Sequence, residues 1–116
     1  MITMKTKYNE SVLEFLIEKA IDRSKSYPTV FPMDCEENVL VFDQLDYLTE
    51  EELEPIHVIF LLGSELDISF TEALEKAKQI GFSAVEIIAF EPRLNEILQK
   101  GLVRLKEYER LKVVKN

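Results

Sequence analysis

The sequence predicts a small three-layer α/β domain, with a short, mainly parallel three-stranded sheet covered by helices on both faces. Two observations carry that expectation. The Ser/Thr-x-x-Glu pattern that starts helices occurs at Ser11 with Glu14, at Thr49 with Glu52 and at Ser69 with Glu72. Between these starts lie three short apolar runs, at residues 39–42, 56–62 and 85–90. Each is shorter than an ordinary helix and rich in Val, Ile and Phe, which reads as buried strand. The 116 residues are read as one domain, long enough to bury a core without disulfide or metal staples.

The first helix is expected from Ser11, with Asn9 as the competing cap. Leu13, Leu16, Ile17, Ala20 and Ile21 share one face, and the helix should stop between Ser24 and Pro28. YPTVFPMDCEEN, with two prolines and no periodicity, reads as a loop, and residues 39–42 follow as the first strand. The helix opened by Thr49 is expected to last little more than a turn, because Pro55 disfavours helical backbone at Glu54. Residues 56–62 then form a central strand, since an unbroken apolar run means both faces are covered. The Ser69 helix carries Ala73, Leu74, Ala77 and Ile80 inward and should be capped by Gly81. Residues 85–90 complete the sheet. Glu91 and Pro92 open a last helix, Gly101 threatens to bend it, and the closing LKVVKN suits frayed helix or a short strand equally.

Charge is unevenly laid out. The net formal charge is −8, yet residues 26–75 hold thirteen acids and no Lys or Arg, whereas residues 97–116 hold six basic side chains and two acids. A strongly acidic surface argues against nucleic acid, whose binding needs a basic face, so no direct nucleic-acid contact is expected. No apolar run approaches the length of a bilayer span, and no apolar stretch follows the basic N-terminus as a secretion signal would require. The single cysteine, Cys35, fits a reducing compartment, so a cytoplasmic location without membrane association is expected.

Asp43, Asp46, Glu50, Glu51, Glu52 and Glu54 crowd a twelve-residue stretch. Glutamates in a first helical turn suit the helix dipole, which accounts for Glu50, Glu51 and Glu52 but not for the fifty-residue gap in cations. The expectation is therefore a non-enzymatic interaction or regulatory module that presents this acidic face to a basic partner. That partner is a foreign basic protein or the basic tail of a second copy. The tail combines Lys100, Arg104, Lys106, Arg110, Lys112 and Lys115 with an apolar stripe, and Leu98, Leu102, Leu105 and Tyr108 are its candidates for self-association.

The alternative is a small-ligand or divalent-metal-dependent enzyme, with a site at the strand ends near Asp43 and Gly63. Asp34, Glu36 and Glu37 could add oxygen ligands to Asp43 and Asp46. No calcium-loop spacing exists, and zinc would need carboxylates beside Cys35 and His57, the only histidine. No phosphate-binding glycine loop or nucleophile elbow occurs, and Glu65 and Asp67 in the turn after Gly63 would repel phosphate. No catalytic residue, metal ligand or cofactor is assigned on these grounds.

Overall fold

A computed structural model describes residues 7–114, and side chains as far as Leu111. Among the described residues there are six α-helices, one turn of 3₁₀ helix and no strand. The helices are α1 (Glu10–Ser26), α2 (Glu36–Asp46), α3 (Glu50–Ser64), α4 (Phe70–Ile80), α5 (Ala84–Ala89) and α6 (Leu94–Val114). The expected α/β architecture is therefore corrected: the three apolar runs read as strands are helical, and the fold is an all-α assembly around α3.

Each correction has a physical cause. The run at residues 56–62 is apolar all round because α3 is the central helix, enclosed on every side. His57, Ile59 and Leu62 are as deeply buried as Ile56 and Val58. In α2 the buried positions are Asn38, Val41 and Leu45, a stripe of helical spacing that a four-residue window cannot display. In α5, Ala84 and Val85 are buried, Glu86 and Ile87 exposed, and Ile88 and Ala89 buried again. Pairs in, pairs out is helical; a strand would alternate singly.

Pro55 does not stop α3. It stands at the sixth position, where its missing N–H leaves the carbonyl of exposed Glu51 without its helical donor. Burial of Leu53 and of every residue from Ile56 to Gly63 outweighs that loss. The Thr49 capping box forms as expected: Glu52 N–H donates to Thr49 Oγ1 at 3.2 Å and Thr49 N–H to Glu52 Oε1 at 2.9 Å. The Ser69–Glu72 box forms likewise. For α1 the cap is Asn9 rather than Ser11, its Oδ1 accepting from Val12 N–H at 3.1 Å. Gly81 caps α4 with φ of +58°, a conformation that L side chains rarely adopt.

Helices α3 and α6 make the main contact, at a crossing of two glycines. A Cβ built on Gly63 would lie 1.8 Å from the Ile97 carbonyl oxygen, and one built on Gly101 would lie 1.8 Å from that of Ile59. Only hydrogen fits at either place, so each glycine points a Cα–H at the opposite helix backbone. Gly101 thus does not break α6, which runs unbroken from Leu94 to Val114; it lets the helix approach α3. Leu94, Leu98 and Leu105 flank this crossing and are fully buried.

Two arginines close helix ends. Arg104 reaches across from α6 to the last turn of α3. It donates to the carbonyls of Leu62 at 2.6 Å, Glu65 at 3.1 Å and Ile68 at 2.9 Å. Arg23 does the same for α5, donating to the carbonyls of Ala89 at 2.8 Å and Glu91 at 2.6 Å. Cations at the negative ends of helices are favoured by the dipole, more so when shielded from water.

Candidate functional site

The acidic stretch forms a ridge along the end of α2 and the start of α3. Asp43, Asp46, Glu50, Glu51 and Glu52 are exposed and Glu54 is half-buried. The ion pairs among the described residues are Lys19 with Asp22, Lys76 with Glu65 and Arg93 with Glu96, so none of the six acids is neutralised there. Glu52 has its capping task, and the acids of the first turn of α3 suit its dipole. Asp43 and Asp46 are different. They stand in the last turn of α2, at the dipole's negative end, and that turn holds no basic residue. Such placement is unfavourable by roughly 0.3–1 kcal/mol per charge. Local stability does not account for it. Between these acids and α3 projects Tyr47, an aromatic ring left 88 % exposed.

Beside the ridge lies an open groove of about 280 Å³ between α2, α5 and the preceding loop. Val39, Phe42, Phe90 and Met33 line it, and Asp34 and Asp43 edge it. Phe42 and Phe90 stack with ring centroids 6.2 Å apart, which ties α2 to the end of α5. Val39 and Met33 remain largely open to solvent, at 42 % and 66 %.

The groove rests on a buried polar knot. Arg23 is 1 % exposed, and its Nη1 donates to Asn38 Oδ1 at 2.8 Å as well as to the Ala89 carbonyl. Asn38 Nδ2 donates in turn to the Met33 carbonyl at 2.8 Å, and the Phe31 ring lies 3.9 Å beneath the guanidinium. Burial lowers the Arg23 pKa, opposed by the fields of Cys35, Glu91 and Glu37. These bonds fix the loop before α2 and the end of α5 against each other, so the groove walls are held by structure rather than by a ligand.

A second, more enclosed cleft of about 120 Å³ lies between α3 and α4. Glu50, Glu54 and His57 line it from one face of α3, four and three residues apart, and Lys78 and Gly81 close the far side. His57 is 1 % exposed, and neither ring nitrogen has a hydrogen-bond partner. Its pKa is pushed down to about 4, chiefly by burial and further by Lys76, with Glu65 acting the other way. The imidazole is therefore neutral near pH 7, with one donor and one acceptor both unused.

The remaining candidates fall as follows. Leu98 and Leu105 are fully buried within the chain, Leu102 packs partly against the core, and Tyr108 stacks on Phe70 at 4.4 Å. That stripe is already engaged intramolecularly; on its outer side α6 exposes Val103, Leu111, Lys100, Lys106 and Arg110. Gly63 lies inside α3 against α6, and the turn after that helix, at Leu66 and Asp67, borders an open hollow together with Glu65, Ile68, Glu72 and Lys76. Asp34, Glu36, Glu37, Asp43 and Asp46 do not converge: among the described residues no group of three His, Cys, Asp or Glu could hold a metal. Cys35 is buried at the start of α2. Residues 1–6, Lys115 and Asn116 lie outside the described residues, as does the side chain of Lys112. No helix among the described residues is long and apolar enough to cross a membrane. No family model, curated protein or solved structure matches the chain.

Proposed function

We propose that the chain is a protein-interaction module whose α2 face binds a basic amphipathic segment of a partner protein. The supporting observation is the juxtaposition of an apolar groove, bounded by Asp34 and Asp43, with carboxylates placed where their own helix disfavours them. Apolar side chains of the incoming segment would fill the groove against Val39, Phe42 and Phe90. Its Lys or Arg residues would face Asp34, Asp43 and Asp46, relieving the unfavourable charge at the end of α2. Tyr47, exposed beside them, suits the aromatic anchor that dominates many interfaces. The acids would chiefly govern encounter rate and partner choice, and the groove would hold the complex.

Fluorescence anisotropy with a labelled basic amphipathic helical peptide tests this reading. Binding should weaken markedly between about 50 and 300 mM salt, as screening shortens the range of the field. Joint Asp34→Asn, Asp43→Asn and Asp46→Asn substitution should weaken it by about tenfold. An affinity indifferent to both changes contradicts the proposal.

A further inference from the structure

We infer that the segment seated on the α2 face is the end of α6 from a second copy of this chain; the inference rests on the interaction function proposed above and names its partner. Charge complementarity carries it. Residues 26–75, which supply the docking face apart from Phe90, hold thirteen acids and no Lys or Arg, while residues 97–116 hold six basic side chains and two acids. On α6 the cations face outward. Lys100, Lys106 and Arg110 are exposed, and none of them is in an ion pair among the described residues. Val103 and Leu111 stand among them, more than half open to solvent. Steps of three, three and four from Lys100 through Val103 and Lys106 to Arg110 keep these residues along one side of the helix. Glu107 is the one exposed acid between Lys100 and Leu111. This is the basic amphipathic segment that the α2 groove fits.

The reach of α6 supplies a second argument. Its last buried side chain among the described residues is Leu105, yet the helix runs on to Val114. At 1.5 Å per residue the continuation measures ~13 Å. Tyr108, stacked on Phe70, ties down its first turn. Helices in proteins draw most of their stability from packing an apolar face, and Leu111 lies exposed beyond that stacking. Nor can α6 serve its own groove. The crossing of Gly63 with Gly101 and the bonds from Arg104 hold it against α3, whereas the groove lies between α2 and α5. A second copy is required. When each copy lends its α6 end to the other, a two-fold pair forms with both grooves filled. The net charge of −8 per chain does not prevent this, because charges more than about 10 Å apart are largely screened at 0.1 M salt while the matched ones touch.

Sedimentation equilibrium of four chains tests the inference. They are the parent, an Asp43→Lys, Asp46→Lys variant, a Lys106→Glu, Arg110→Glu variant, and the chain carrying all four substitutions. The parent should dimerise, and each two-site variant should self-associate about tenfold more weakly. The four-site chain should recover the dimer, because its reversed groove again meets a helix of opposite charge. Recovery separates a matched contact from damaged folding. A four-site chain as dissociated as the two-site variants overturns the inference. So does a dimer broken by the α6 reversal but indifferent to the α2 reversal, since α6 then meets another surface. A monomeric parent whose α2 face still binds the basic amphipathic peptide refutes the second copy as occupant and leaves the interaction function standing. A monomeric parent that also ignores the peptide refutes both.

Discussion

Gly101→Ala separates tertiary geometry from helix propensity, because the two demand opposite outcomes. Alanine is the better helix former by about 1 kcal/mol, so at an ordinary position inside α6 the change would stabilise. Here the new methyl carbon would sit 1.8 Å from the Ile59 carbonyl oxygen, against an ordinary contact beginning at 3.4 Å. The shortfall is 1.6 Å, and the obstacle is backbone, which cannot rotate aside as a side chain can. The helices must part, forfeiting Cα–H···O contacts and the close packing of Leu94, Leu98 and Leu105. Overpacking penalties of 1–3 kcal/mol or more, with those lost contacts, give a net destabilisation of about 2–4 kcal/mol. In a chain of this size that lowers Tm by roughly 10–15 °C. Urea unfolding followed by circular dichroism at the helical band would measure it, with Gly63→Ala as the reciprocal test. A Gly101→Ala variant more stable than the parent would refute the crossing of α3 and α6.

Three further outcomes follow from the same geometry. Arg23→Met should lower stability by about 3 kcal/mol in urea unfolding, because Asn38 and the carbonyls of Ala89 and Glu91 lose their donor; Arg23→Lys should recover little, since an ammonium cannot reproduce the fork. His57 makes stability fall with acid: the unfolded chain takes up its proton near pH 6.5, the folded chain only near pH 4. The contribution is therefore complete above pH 6.5 and is lost progressively down to about pH 4, by roughly 3 kcal/mol, and urea midpoints of His57→Gln should show a flatter pH dependence in that window. If the basic segment belongs to a second copy, light scattering should give twice the 13.5 kDa chain mass at low salt and the single mass at high salt. A dimer indifferent to salt would contradict charge-led association.

Local rules are legible at several helix ends, although at α1 Asn9 is the cap and the Ser11–Glu14 pattern forms no box. The capping boxes at Thr49 and Ser69 and the Gly81 cap depend on a few neighbouring residues, and all three form. The sheet was a misreading of context. Burial on both faces makes a run apolar whether it is strand or helix, and at residues 56–62 only the extension back through Leu53 to the Thr49 cap distinguishes the two. Pro55 obscured that link, since its local bias against helix is real and is overcome only by packing.

The proposed binding face is half legible in the sequence. Charge counting found Asp43 and Asp46 but could not show that they stand at a helix C-terminus, which depends on α2 being a helix. The groove needs α5 beside α2, a long-range fact with no local signal. Arg23 did leave one: it continues the stripe of Leu13, Leu16 and Ala20, so a cation on the buried face announced a polar knot inside. His57 was visible only as a lone histidine in an apolar run, and its two unsatisfied nitrogens belong to the packed structure.

Charge-matched docking on the α2 face is open to a charge swap. Titration calorimetry would compare the parent chain with an Asp43→Lys, Asp46→Lys variant, each against a basic amphipathic peptide and its Lys→Glu counterpart. The variant should lose the basic peptide and gain the acidic one, with Val39→Asp weakening both complexes. Retention of the basic peptide by the charge-reversed variant would contradict it.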